Sequence, residues 1–342
     1  MSRIAVLSAK SVAVLIAAAI IAAAGVAWGT TIWLDAKFVQ VEALDETSPD
    51  IKHPEGQRDT ENFLIVGSDT RAGDNAKLDK AGVAGARSDT VMIAHLPADR
   101  RRVVVVSFPR DLEVTRPACP RWNSATGAYT GATVPSAANV KLNTAYAFGG
   151  PRCVTKLIQH RTGMKMNHFA GIDFSGFQQM VDAVGGVAMH VASPVIDKHQ
   201  GAVVTKPGTI TFDGERALRY VRSRKVQGDP TSDYGRIKRQ QQFIASLLGK
   251  TLSREVVLDS ARLGSFVTAF ADATVGENLD VTELLKLARS MNASGGERVT
   301  FLTVPTTGGA NTRGNEVLLE REAAALFTAL IDNRPLPKGL EG

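Results

Sequence analysis

Asn62-Phe-Leu-Ile-Val-Gly-Ser-Asp-Thr-Arg71 is the stretch on which the reading of this chain turns. Phe63 to Val66 is a short apolar run closed by Gly67, the pattern of a strand buried on both faces. Polar residues follow at once, so the strand opens into a loop that carries Asp69. The same pattern recurs downstream. Arg87-Ser-Asp-Thr90 leads into a strand over Val91 to Leu96, and the β-branched run Val103 to Phe108 predicts a third. Helical stretches come next. Asn143 to Phe148 and Pro151 to Thr162 read as helices split by Gly149-Gly150. Phe174, Phe177, Met180, Val181 and Val184 mark one face of an amphipathic helix over 173–184, ended by Gly185-Gly186. A strand is expected over Val187–Val191 and a helix start at Asp213. Further helices are expected over 236–252, 262–271, 281–291 and 316–332, with a last strand over Val299–Val304. Residues 116–139, rich in Pro, Gly, Ser and Thr, read as a long irregular loop. Strands alternating with helices indicate an α/β fold.

Upstream of the first strand the chain changes character. Ser11 to Leu34 contains no charged residue. A bilayer core about 30 Å thick takes roughly 20 apolar residues of helix, which this run supplies. It also exceeds the apolar stretch of about 7–15 residues in a cleaved signal peptide, the competing reading. Arg3 and Lys10 precede it, placing residues 1–10 in the cytoplasm and the remainder outside. Residues 11–34 are therefore read as a transmembrane anchor and the polar residues 35–58 as an extracytoplasmic linker. One domain occupies 59–335, and 336–342 form a tail.

The chain of 342 residues carries a formal net charge of +6. A basic balance suits nucleic acid, an anionic membrane or a phosphorylated substrate. The ten or so residues before the span are too few for a DNA-binding module, so nucleic acid is excluded as a partner. Export permits disulfides, and a bridge is expected between Cys119 and Cys153.

Two acidic residues, Asp69 and Asp89, lie at strand ends beside loops, where α/β proteins place ligands. On adjacent strands they would offer Mg2+ the hard oxygen ligands it prefers; from spacing alone, the reading as turn-forming carboxylates prevails. Arginines gather at comparable places: Arg87, Arg110, Arg222, Arg224, Arg236 and Arg239. Each presents a permanently charged fork of donors that matches phosphate oxygens. If 218–224 is extended, Arg222 and Arg224 point the same way. A pyrophosphate diester facing two carboxylates and one divalent cation still needs positive charge, which these arginines supply. No Gly-x-Ser-x-Gly elbow or P-loop is present, and the six His show no metal-ligand spacing.

In order along the chain, these strings resemble those of the LytR–CpsA–Psr family of cell-wall glycopolymer ligases. Besides Asn62–Arg71 and Arg87–Thr90 they are Ser107-Phe-Pro-Arg-Asp111, Lys141-Leu-Asn-Thr-Ala-Tyr146, Asp173-Phe-Ser-Gly-Phe177, Leu218-Arg-Tyr-Val-Arg-Ser-Arg224, Asp233-Tyr-Gly-Arg236 and Arg239-Gln-Gln-Gln242. The resemblance implies a three-layer α-β-α domain with a mixed central sheet and an apolar pocket for a polyprenyl tail. It implies Mg2+ or Mn2+ held by Asp69 and Asp89. It implies catalytic or pyrophosphate-binding roles for Arg87, Arg110, Arg224 and Arg236, with Arg222 and Arg239 as further pyrophosphate ligands. The implied reaction moves a glycopolymer phosphate from a polyprenyl-pyrophosphate carrier to a peptidoglycan hydroxyl at the outer face of the cell membrane. For the general base the sequence offers only carboxylates such as Asp89 or Asp111. The polymer could be arabinogalactan, a teichoic acid or a capsule. A polyprenyl-pyrophosphate phosphatase and a non-catalytic binder of wall polymer or lipid are the alternatives.

Overall fold

Seven strands form the central sheet of the computed structural model, which describes residues 37–68, 88–231, 233–280 and 299–339. They are β1 (Val39–Gln40), β2 (Glu61–Ser68), β3 (Ser88–Leu96), β4 (Val103–Phe108), β5 (His168–Asp173), β6 (Thr274–Glu277) and β7 (Val299–Thr303). Their spatial order is β1-β6-β5-β2-β3-β4-β7. The β1–β6, β5–β2 and β4–β7 pairs are parallel, and the others antiparallel, so the sheet is mixed. The expected anchor over 11–34, the loop with Asp69 and Arg87, and the helix expected over 281–291 lie outside the described residues. Among the described residues no helix is long and apolar enough to cross a membrane.

The apolar runs that signalled β2 and β4 follow from burial on both sides. Leu64, Val66, Val91, Ile93, Val104 and Val106 face α1 (Asn143–Thr162). Phe63, Met92, Ala94 and Val105 face the opposite way. On that second face lie α4 (Asp233–Thr251), with partly buried Ile244 and Leu248, and α5 (Ser260–Asp272), with Ala271. These helices follow α2 (Phe174–Ala183) and α3 (Gly214–Arg222) in the chain. The last helix, α6 (Glu320–Ile331), adds Leu326, Phe327 and Leu330 beside α1. The sheet is thus sandwiched between helical layers. A further apolar cluster, with Val181, Phe212, Tyr220 and Phe243, joins α2, α3 and α4 to a strand pair over 187–191 and 208–212.

Four expectations are corrected. Residues 116–139 are not irregular: strands Glu113–Arg116 and Ala137–Lys141 pair, and Cys119–Asn123 pairs with Ala128–Val134. The residues before Glu320 form a short strand, Glu316–Leu318, rather than the start of the last helix. Residues 218–222 are helical, so Arg222 and Arg224 do not share a strand face. The segment read as a linker packs from its first described residues: Phe38 and Ala43 are buried, and β1 adds an edge strand to the sheet. Its polar composition hid two well-spaced apolar contacts. The glycine pair inside α1 marks a kink at Gly150, where φ is +59° and the Trp122 ring takes the space a side chain would need.

A buried histidine makes the fold acid-sensitive. His95 in β3 is 1% exposed, and its Nδ1 lies 2.7 Å from Asn62 Oδ1. Burial, with some repulsion from Arg102, pushes its pKa down to about 4. In the unfolded chain the ring takes up a proton near its ordinary value, so its contribution is complete above that pH. It is lost as pH falls from there to about 4. Urea unfolding is expected to show a loss of about 3 kcal/mol across this window, with a shallower decline for His95→Gln.

Candidate functional site

The carboxyl ends of β2, β4, β5 and β7 lie along one edge of the sheet, because Ser68 pairs with Asp173 and Thr303 with Ser107. This edge is where open α/β sheets bind ligands. β3 begins there. Gly67 pairs with Thr90 but Ser68 with Ser88, so Asp89 is the extra residue of a bulge. Bulges re-aim side chains next to functional sites. From the end of β4, Pro109 turns the chain so that Arg110 and Asp111 face the same edge; the Arg110 carbonyl accepts from Asn143 N, 3.0 Å away, at the start of α1. Arg224 follows the end of α3, and Asp233 and Arg236 occupy the first turn of α4.

These side chains form one network. Arg110 Nη1 pairs with Asp89, and Arg236 Nη1 lies 3.8 Å from the same carboxylate. Arg236 Nη2 is 3.0 Å from Asp233, which is also 3.0 Å from Arg224 Nε. Arg224 Nη2 reaches Asp111 at 3.0 Å, and Lys141 Nζ reaches it at 3.3 Å. Four cations therefore surround three carboxylates, leaving surplus positive charge around the buried Arg236. Burial alone would push the Asp89 carboxyl up, but the charges of Arg110 and Arg236 outweigh it and hold the group below its ordinary range. Burial lowers the pKa of Arg236, offset in part by Asp233 and Asp89. The Nε groups of Arg110 and Arg236 are buried without a hydrogen-bond acceptor among the described residues. The network is a rigid donor array for a multiply charged oxyanion such as a phosphate.

Of the residues singled out in the sequence, Asp89, Arg110, Arg224 and Arg236 come together. Arg222 stands aside with its guanidinium 4.5 Å over the Phe174 ring, although its charge still reaches Asp89. Arg239 holds a loop, bonding Asp229 at 3.0 Å and the Ser223 carbonyl at 2.7 Å. Asp69 and Arg87 lie outside the described residues. Sequence reasoning gave no site role to Lys141, Asp233 or Asp197. An acidic residue three positions before a site arginine at a helix start was the available signal for Asp233. Nothing local marks Asp197. It is 3% exposed and accepts backbone N–H groups of His199, Gln200 and Arg224 at 2.8 Å and of Lys225 at 2.5 Å. It thereby fixes the chain that presents Arg224. Asp197→Ala is expected to destabilise the fold by about 3 kcal/mol in urea unfolding, since a buried carboxylate serving several donors is lost.

Residues 33–331 match the sequence pattern of the LytR_cpsA_psr family. The chain belongs to this family. It is 31% identical over 308 residues to the probable cell wall biosynthesis protein LcpB of Corynebacterium glutamicum, covering 88% of this chain and 66% of that one. It thus spans just under two thirds of that relative. The polyisoprenyl-teichoic acid–peptidoglycan teichoic acid transferase TagU of Enterococcus faecalis is 27% identical, with 79% of this chain and 77% of the relative aligned. Among solved structures, protein gbs0355 of Streptococcus agalactiae superposes with a TM-score of 0.61 at 23% identity, covering 85% of this chain and 93% of that one. The LytR-Csp2A-Psr enzyme of Actinomyces oris gives 0.60 at 18% identity, with coverages of 86% and 95%. At these identities the structural likeness is one of fold, and it places the mixed-sheet domain within the LytR_cpsA_psr architecture.

Proposed function

We propose that this LytR_cpsA_psr protein is a phosphotransferase that moves a glycopolymer phosphate from a polyprenyl-pyrophosphate carrier to a hydroxyl of peptidoglycan, releasing polyprenyl phosphate. The observation that carries the reading is the partly buried Arg110–Asp89–Arg236–Asp233–Arg224 chain of charges at the carboxyl edge of the sheet. Phosphoryl transfer asks mostly for positioning and for charge stabilisation, and fixed guanidinium groups provide both without reorganising. Arg110, Arg224 and Arg236 bind the pyrophosphate oxygens and neutralise the charge that develops on the leaving phosphate. Their carboxylate partners hold the forks in place before substrate arrives.

The described half of the metal pair fits a hard cation: Asp89 is an oxygen donor held ionised at the site edge. With Asp69 it would hold Mg2+ or Mn2+. When bound, the ion would add positive charge against the pyrophosphate oxygens. On the second sheet face Ile65, Ile244, Leu248, Phe270 and Phe301 pack, partly buried, against the core, and side chains of this kind are what the lining of a lipid-tail site requires. The reading includes a location at the cell membrane, with residues 11–34 as anchor and the domain outside, which the Cys119–Cys153 disulfide supports.

The test uses the full-length chain in detergent with a polyprenyl-pyrophosphoryl oligosaccharide, Mg2+ and a peptidoglycan fragment, read by mass spectrometry. A glycan–phosphate–muropeptide adduct that is lost in Arg110→Ala supports the ligase. Free glycan phosphate without adduct supports a hydrolase instead.

A further inference from the structure

The carboxylates of the charge network are committed. Asp89, Asp111 and Asp233 each carry at least one guanidinium or ammonium partner within ion-pair distance. Next to them, Glu113 is engaged by Arg313, Asn311 and Asn315, which hold it down at about 2. A proton acceptor for a weakly acidic sugar hydroxyl works best with a pKa near the working pH. None of these positions suits that task.

Glu316 differs from all of them. It opens the short strand Glu316–Leu318, and its backbone N donates to the Asp111 carbonyl at 2.9 Å. A β-bridge between Leu112 and Glu316 fixes it against the turn that carries Arg110 and Asp111. The residue is 8% exposed. Among the described residues its side chain has one hydrogen-bond partner, the Tyr234 hydroxyl, which donates to Oε2 at 3.2 Å. Tyr234 directly follows Asp233, the carboxylate shared by Arg224 and Arg236. Glu316 therefore flanks the cationic cluster without a cation of its own. Burial, then repulsion from Asp233 and Asp111, raises its carboxyl above the ordinary range, against the Tyr234 hydrogen bond and the Lys141 charge.

We propose that Glu316 is the proton acceptor for the peptidoglycan hydroxyl, an assignment that rests on the ligase reading above. In the step, the hydroxyl oxygen forms a bond to the sugar-proximal phosphorus while its proton passes to a Glu316 carboxylate oxygen. The bond from that phosphorus to the bridging oxygen breaks, and the electron pair leaves with polyprenyl phosphate. Glu316 then returns the proton to solvent. Asp89 and Asp111, the carboxylates the sequence offered for this role, are instead paired with Arg110 and Arg224, and Asp89 is the one assigned above to the cation.

The charged and titratable groups that act on Glu316 are Asp111 beyond β4, Lys141 on the strand Ala137–Lys141, and Asp233 and Tyr234 on α4. They define a test by pH. Full-length wild type, Glu316→Gln, Glu316→Asp and Tyr234→Phe are assayed with a polyprenyl-pyrophosphoryl disaccharide and a peptidoglycan fragment, alongside thermal melting. Glu316→Gln is expected to lower kcat by about a thousandfold with the donor KM and the melting temperature little changed, the scale of a lost general base. Glu316→Asp recovers part of that loss. Tyr234→Phe removes a donor to the carboxylate, so the acidic limb of kcat moves to higher pH. Glu316→Gln turnover within about tenfold of wild type overturns the proposal. If Glu316→Gln fails to fold, the Tyr234→Phe limb decides, and an unmoved limb overturns it. A wild-type chain that forms no adduct removes the ligase reading and the proposal with it, whereas adduct formed equally by both chains removes the proposal alone.

Discussion

Arg236→Met is expected to abolish transfer and to lower the unfolding free energy by about 3–5 kcal/mol, the scale of breaking a buried ion pair on one side. Arg236 is 2% exposed and faces Asp233 at 3.0 Å and Asp89 at 3.8 Å. Methionine fills much of its volume but leaves both carboxylates short of a partner. Asp233 retains Arg224, and Asp89 retains Arg110, so the loss stays short of that for two isolated charges. Arg236→Lys is the informative companion. A lysine keeps the charge but cannot span two carboxylates with one planar fork. It should recover part of the stability and little of the activity. The double variant Arg236→Met with Asp233→Leu should regain only part of the stability, because it replaces both members of the closest pair but takes a partner from Arg224 and Asp89, and it should stay inactive. Urea unfolding beside the adduct assay separates the two effects.

That separation bears on what could be read before the fold was known. β2, β3 and β4 were legible because strands buried on both faces need unbroken apolar runs. α2 and α4 were legible from apolar spacing, and α1 from paired helical runs around Gly149-Gly150. The strand Ala128–Val134 was not: it lies largely exposed and carries no alternation of apolar and polar residues. Its place is fixed by pairing with Cys119–Asn123 and by Arg152 of α1 against Tyr129, contacts that no local pattern encodes. The β1 edge strand was hidden for the same reason, since it is two residues long.

The site divides along the same line. Asp89, Arg110, Arg224 and Arg236 stood out because charged residues at strand and helix ends beside apolar runs are conspicuous. Arg222 and Arg239 were grouped with them on residue type, on an extended reading of 218–224 and on the family resemblance; in the fold one guanidinium lies over an aromatic ring and the other bonds a loop carbonyl. Asp197 and Glu316 owe their roles to partners far along the chain, Arg224 and Lys225 for the first and Asp111 and Tyr234 for the second. Spacing within a sequence window cannot report such pairs.

Long-range fixation also explains why the disulfide should matter more than its distance from the charges suggests. Cys119 and Cys153 are 34 residues apart and bonded, tying the strand pair 119–134 to α1. An exposed two-stranded unit is marginal by itself. Its other ties are the Trp122 ring against Gly150 and the Tyr129 hydroxyl, which donates to the Glu42 carbonyl at 2.8 Å and accepts from Arg152 N at 2.9 Å. By the chain-entropy account, a loop of this length contributes about 4 kcal/mol. Cys119→Ala with Cys153→Ala is therefore expected to lower stability by about that amount, and reduction of the wild type should do the same. The consequence reaches the site through α1, whose first residue bonds the Arg110 carbonyl. Amide hydrogen exchange should show the strand pair 119–134 opening first and residues 143–150 next, while β2 to β4 stay protected. Equal loss of protection in β2 would mean that the bond supports the whole domain rather than its edge.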